Sequence, residues 1–377
     1  MKKGNAIPLE EACNVEYGTR VVQKRDGGKG YPVYGGGGAT FEMDVFNRED
    51  QLVIARFGMS KECTRFVAGK FFLNDSGLTV SPKNGSMLQR FLDYQMLCLN
   101  DDIYALGKGT AQKNLDVPVF RTLPLFIPPL AEQQRIVGVL DEAFVGLATA
   151  KANAEKNHQN ARALFESHLQ SVFTQRGKGW VEKRLGDVCG FVRGPFGGSL
   201  KKSIFVPQGY AVYEQQHAIY DQFNDIRYFI NETKFREMKR FELLPNDLIM
   251  SCSGTMGRVA IVQKGIKRGI INQALLKLTP TAKILNTFLK SWMESEAFQD
   301  ALKIYSGGMA IQNVASVKVL KEIKVPLPSV KEQQKVIDEL DDLRKETQHL
   351  EHLYERKRDA LGVLKKSLLH QAFSGTL

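Results

Sequence analysis

Two glycine-bearing loops bring hydroxyls and guanidinium groups close together. In SCSGTMGR, Ser251, Ser253 and Thr255 could donate to phosphates or base edges, Gly254 and Gly257 permit close backbone approach, and Arg258 supplies charge. The stretch ARFGMSKECTR, nearer the N-terminus, offers Arg56, Ser60, Lys61 and Arg65. These are the residue types that read nucleic-acid grooves: Arg or Lys suits guanine, Asn or Gln suits adenine, and hydroxyls suit phosphate. Further candidates of the same chemistry are Arg20, Lys24, Arg25 and Asn74, then Arg193, Lys201, Lys202, Gln215, Gln216, Asn272, Gln273 and Gln312, beside the basic run KFREMKR at 234–240. The competing reading of 251–258 is an ordinary hairpin turn with solvated hydroxyls. For each lone Lys or Arg it is a solvated surface charge.

Catalytic chemistry finds no comparable support, and no catalytic residue is assigned. The tetraglycine Gly35 to Gly38 is not followed by Lys-Ser or Lys-Thr, so it fails as a phosphate loop and reads as a flexible turn. His349 and His352 share a helix face without a third ligand, and Cys13, Cys63, Cys98, Cys189 and Cys252 show no paired spacing, so no metal site is expected. An adenine methyltransferase needs an Asn-Pro-Pro-aromatic motif for a flipped base, and the only Pro-Pro here is in IPPL. Pro245-Asn246-Asp247 with Gln263-Lys264 superficially matches a metal-dependent nuclease core but lacks the acidic-x-Lys spacing.

The elements that must carry these loops emerge from a repeat. Residues 104–177 match residues 304–377 without a gap: Pro128 pairs with Pro328, Glu132-Gln133-Gln134 with Glu332-Gln333-Gln334, and Leu140-Asp141 with Leu340-Asp341. Farther along, Glu155, Ser167, Leu169 and Phe173 meet Glu355, Ser367, Leu369 and Phe373, while Gly107 and Gln112 meet Gly307 and Gln312. Each copy opens on a Pro-containing apolar run, which ends a strand and starts a helix. The second copy then steps by four and three through Val336, Leu340, Leu343, Thr347, Leu350, Tyr354, Lys357, Leu361, Leu364 and Leu368, a coiled-coil spacing broken only at Lys357. The first places Ile136, Leu140, Ala143, Leu147, Ala150, Ala154, Asn157, Ala161 and Leu164 in that register. Ala-rich against Leu-rich suits an antiparallel intramolecular pair, each helix about 45 residues and on the order of 65 to 70 Å long.

Between the helices lie segments rich in Gly, aromatics and β-branched runs, such as YPVYGGGGATF, LVIARFG and GIINQALLKL. They echo one another weakly: Leu9 and Cys13 with Leu185 and Cys189, VIARFG with IMSCSG, FFLND with IINQ. The expected fold is α+β: two mixed, strand-rich domains, 1–127 and 178–327, joined by two long antiparallel helices, 128–177 and 328–377, as a pseudo-twofold internal repeat. Charge follows this division. Lys and Arg outnumber Asp and Glu by 52 to 41, with 22 basic against 13 acidic residues in 178–327, 16 against 14 in 1–127, and balance in both helical segments. With a polar N-terminus and no run of about 18 apolar residues, a soluble cytoplasmic protein is expected, with no membrane partner.

This order resembles the specificity subunit of type I restriction-modification systems over nearly the whole chain. The resemblance rests on IPPLAEQQRIV and VPLPSVKEQQKVI, the long helices behind them, GGMAIQNV ahead of the second opening, and WVEKRLGDVC after the first helix. The first domain departs from the pattern, with GKGTAQKNL where the second has SGGMAIQNV. The resemblance implies two target-recognition domains, each reading one half of a split, asymmetric site in double-stranded DNA. It implies that the helices are a spacer and a dock for two modification subunits, which would carry S-adenosylmethionine and methylate adenine. Two restriction subunits using ATP and Mg would complete the assembly, and this chain itself would bind no cofactor. A stand-alone DNA-modifying enzyme and a coiled-coil adaptor for proteins are the alternatives. The charge of the second domain argues against the adaptor.

Overall fold

The computed structural model describes residues 6–305 and 316–377. The chain is α+β and divides into two compact units, residues 1–156 with 354–377, and residues 157–353. The division passes through both long helices, Leu130–Gln175 and Val330–Ser374. Each unit thus owns one strand-rich globular part, the start of one long helix and the end of the other.

In the first unit a sheet runs Cys13–Tyr17, Gly77–Pro82, Arg48–Ala55, Thr64–Leu73, Tyr31–Gly35, Gly38–Met43. Pairing is antiparallel except where Tyr31–Gly35 lies parallel to Thr64–Leu73. In the second unit Cys189–Arg193, Leu275–Pro280, Leu248–Ser251 and Val259–Ile261 form an antiparallel sheet. Phe229–Ile230, Tyr210–Tyr213 and Gly269–Ile271 form another, whose last two strands run parallel. The weak echoes in sequence are equivalent positions in these sheets. Tyr17 and Ile54 flank Leu78 as Arg193 and Met250 flank Leu276. Asn74 donates its backbone N–H to Tyr34, and Asn272 to Tyr213, both at 2.9 Å.

The repeated Glu-Gln-Gln motif has a buried purpose. Gln133 is fully buried; its Oε1 accepts the Leu88 N–H at 2.8 Å and its Nε2 donates to the carbonyls of Ser86 and Pro128 at 2.9 and 2.8 Å. Gln333 repeats the clasp with Leu285 N–H, Lys283 and Pro328 at 2.8, 2.9 and 3.0 Å. One side chain therefore ties the first turn of each long helix to the turn that opens the helix Gln89–Cys98 or Asn286–Glu294. Beside the clasp, Ile136 and Leu140 join Leu369, Ala372 and Phe373 in the core of the first unit, and Val336, Ile337 and Leu340 join Leu169 and Phe173 in that of the second. Phe373 meets Phe91 with ring centroids 5.2 Å apart, and Phe173 meets Phe288 at 5.5 Å. The start of each helix thus packs on the end of the other, so within each unit the two segments run antiparallel.

The expected seam holds at its start and drifts toward its end. Ile136, Leu140, Ala154 and Ala161 are buried, but Leu164 and Leu364 are exposed, and contact passes to Phe165 and Leu369. A strict heptad register slips about 20° per heptad against a straight helix. Over the four heptads from Ile136 to Leu164 that is about 80°, close to the 100° between neighbouring residues. Among the described residues no helix is long and apolar enough to cross a membrane.

Replacing Gln133 or Gln333 by Met keeps the volume and leaves one N–H and two carbonyls without their partner. Each variant should lose about 2 to 4 kcal/mol of stability in its own unit, read by calorimetry on the full chain; an unchanged transition would show that the clasp does not hold the helix. A pH effect is expected from Asp93, whose carboxyl is pushed up to about 6 by burial, with the Gln89 hydrogen bond and the Arg90 charge opposing. The folded form holds this proton more tightly than the unfolded chain, whose carboxyl titrates near 3.9. Its contribution to stability is therefore full below about pH 4 and lost as pH rises through 6. Asp93→Asn should raise the melting temperature at pH 7.5 and give no gain at pH 4.

Candidate nucleic-acid interface

The candidate residues fall into separate places. In the first unit the chain at the ends of Cys13–Tyr17 and Arg48–Ala55 borders a cleft of about 510 Å³, lined also by residues 108–109 and 114–118. Arg56 stands on its wall, its guanidinium 4.9 Å from the Tyr17 ring and 4.3 Å from Phe57, with Nη1 donating to the Asp75 carbonyl at 3.1 Å. Asn74 shapes the adjoining turn, its Oδ1 accepting from the Ser76 N–H at 2.9 Å. Gly18 fits here because an added Cβ would lie 2.0 Å from the Asn74 carbonyl oxygen. The other candidates of this unit lie elsewhere. Arg20 and Lys24 are exposed, Arg25 pairs with Asp26 at 2.8 Å, Ser60 caps the Glu62 carbonyl, Lys61 is exposed, and Arg65 donates to Gly36 in the tetraglycine turn at 2.9 Å.

The second unit opens a cleft of about 790 Å³ at the equivalent place, lined by Arg193, Gln273, Lys234, Arg240 and Lys321 with Glu237 as the one carboxylate among its lining residues. Asn272 turns the chain as Asn74 does, its Oδ1 accepting from Ala274 at 3.0 Å, and a Cβ on Gly194 would lie 1.8 Å from its carbonyl oxygen. Arg193 is half-buried, with its positive charge near the Cys252 thiol. Burial pushes that thiol up to about 12, and the guanidinium opposes the shift. At the cleft mouth Phe196 is 93% exposed.

The 251–258 stretch is a hairpin turn held from within. Ser251 is fully buried, its hydroxyl donating to the Thr255 carbonyl at 2.6 Å and accepting the Arg258 N–H at 3.0 Å. It builds the turn and has no hydroxyl left to offer a phosphate. Ser253 is half-buried, while Thr255 and Arg258 are exposed. Arg258 borders a cleft of about 720 Å³ whose other cations Arg162, Lys290, Lys303 and Arg344 are set against Glu166, Asp221, Glu294 and Glu351. Lys290 pairs with Asp221 at 2.6 Å and Arg344 with Glu294 at 3.1 Å, so little net field remains there for an anion. Gln215 and Gln216 sit on a short helix, where Gln216 donates to Asp225, and Lys201 and Lys202 are exposed. Gln312 and the GGMAIQNV stretch lie outside the described residues. Tyr17, Phe57, Phe196 and Lys321 escaped sequence reasoning; the glycine that follows a strand in EYGT and VRGP was the available signal for the first cleft wall.

A family model for the type I restriction modification DNA specificity domain matches residues 7–155 and again 177–356. The chain belongs to this family. Among relatives of this specificity family, the EcoBI specificity subunit of Escherichia coli is 25% identical over 81% of this chain and 69% of its own length. The MjaVIII specificity subunit of Methanocaldococcus jannaschii is 22% identical over 82% and 76%. The fold is shared with a chain solved in work on complex assembly of a type I R-M system (TM-score 0.75, 17% identity, 99% and 98% covered). It is shared also with the HsdS subunit of Thermoanaerobacter tengcongensis (0.59, 17%, 100% and 98%). Two copies of a DNA specificity domain, each carrying its strand-end cleft, make this chain a sequence-recognition subunit of the type I restriction-modification kind.

The turn makes its own prediction. Ser251→Ala should cost about 1 to 3 kcal/mol in the second unit, since the Arg258 N–H and the Thr255 carbonyl lose their partner; exposed Thr255→Ala should change stability by less than about 0.5 kcal/mol. Equal effects in denaturant titrations would contradict the internal role of Ser251.

Proposed function

We propose that the chain reads a split DNA site, one half in each globular part, and lends its helices as spacer and dock to two adenine-modifying subunits. The observation that carries this reading is the duplicated specificity domain, with the same glutamine clasp at the start of each long helix. In functional terms the chain divides into recognition domains 1–127 and 178–327 and spacer helices 128–177 and 328–377. Restriction subunits with ATP and Mg join the same assembly, which works in the cytoplasm, and the chemistry resides in the partners. The exposed cations Arg20, Lys24, Lys201 and Lys202 serve the phosphate backbone, where a swinging cation suffices.

Methylation mapping tests this reading. The chain with its modification partner should methylate adenine at a bipartite sequence, and the chain alone should methylate nothing. Matched insertions near 150 and 350 should change the gap between half-sites and leave both half-site sequences intact, because the reading loops are untouched. An unchanged gap in such a variant removes the spacer role; methyl transfer by the purified single chain removes the division of labour.

A further inference from the structure

The two clefts share a feature that residue matching hides. Tyr17 and Arg193 are equivalent, each beside the Leu78 or Leu276 position, and Arg56 is equivalent to Cys252, two residues beyond Ile54 or Met250. The backbone agrees: Arg56 donates its N–H to Ser76 and Cys252 to Ala274, and Gly58 and Gly254 follow with φ of 61° and 62°. In the first unit the guanidinium comes from the 48–55 strand and lies on the aromatic ring supplied by 13–17. In the second it comes from 189–193 and meets the residue at the Arg56 position. One cation thus stands at one place in both domains, reached from opposite strands.

We infer that Arg56 and Arg193 are equivalent base-reading residues, each donating paired N–H groups to O6 and N7 of one guanine in the half-site bound by its own domain. The inference rests on the DNA-reading function proposed above. Bidentate readout needs a planar fork held still, and guanine in the major groove presents the two matching acceptors. Arg56 lies on the rings of Tyr17 and Phe57 and is tied by a single N–H to Asp75, leaving most of its five donors for the cleft. Arg193 is half-buried against Cys252 beside the Asn272-Gln273 turn. Arg258 has no such support, on the rim of a cleft with nearly balanced charge. Around Arg193 the cleft adds Arg240 and Lys321, which would hold the phosphates while the floor reads, and Lys234, paired with Glu237 at 2.9 Å.

The test uses the full chain with its modification partner and a duplex carrying the mapped site. Arg56→Lys and Arg193→Lys keep the charge and lose the fork. Each should weaken binding on the order of ten- to hundredfold and relax preference at one G·C pair, the two variants affecting different half-sites, with the salt slope unchanged. Replacing that guanine by 7-deazaguanine, which lacks N7, should cost the wild-type protein affinity and cost the matching Lys variant less. This arm needs no protein variant, so misfolding cannot mask the result. A half-site without any G·C pair, a uniform loss across all sequences, or unchanged binding by the Lys variants would overturn the inference while the specificity function stands. Equal binding of mapped and scrambled duplexes by the wild-type complex would remove the function itself.

Discussion

A single buried amide at the first turn of each long helix fixes how that helix leaves its domain. The position must accept one backbone N–H and donate to two carbonyls at once, and Gln133 and Gln333 do both while fully buried. Glu would present a buried charge with no donor, and Leu would strand three polar groups, each costly when dry. Because the partners lie in the turn that opens the packed helix Gln89–Cys98 or Asn286–Glu294, the clasp couples helix start to domain core in one step. The flanking Pro128 and Pro328 donate nothing through nitrogen, and their carbonyls are free to be captured.

What duplication preserves in this chain is interactions more than residues. Across the antiparallel segments Lys365 lies 4.9 Å from the Phe144 ring in the first unit, and Arg344 lies 4.7 Å from Phe165 in the second. Phe144 and Arg344 are repeat equivalents, as are Phe165 and Lys365, so cation and ring have changed helices while the contact stays. The same exchange occurs at the strand ends, where the guanidinium arrives from opposite strands. A contact made by two elements that are copies of one repeat can be satisfied either way round. Selection on the contact therefore leaves identity at each position free to diverge. Such exchanges also distinguish the two helices: like paired with like would set Phe against Phe or Arg against Lys, and only the mixed pair gains both cation–π contacts.

These exchanges explain what was legible in the sequence. The clasp residues match one for one, and with them the long helices, the repeat and the fold class could be read from spacing alone. Even the faint pairing of FFLND with IINQ has a structural cause, since Asn74 and Asn272 turn the chain at the same sheet position. The seam misled at Leu164 and Leu364 because heptad counting carries no memory of the 3.6-residue turn. Ser251 misled differently: a hydroxyl among glycines looks like a donor for a phosphate, and only burial reveals that the turn consumes it. The stacking of Arg56 on Tyr17 joins residues far apart in sequence, and no local pattern announces it.

The uneven charge of the two domains then acquires a physical meaning. A +9 balance in 178–327 attracts an anionic duplex over a Debye length of about 8 to 10 Å, an attraction that salt weakens. The +2 balance in 1–127 supplies little of this, so the first domain must rely on short-range contacts made after the duplex is already held. Its cleft suits that role: the cation is fixed by two rings, and Lys108 is neutralised by Asp116, leaving shape and hydrogen bonding to discriminate. Capture by one domain and discrimination by both is a consistent division for a chain whose halves share a frame and differ in what lines it.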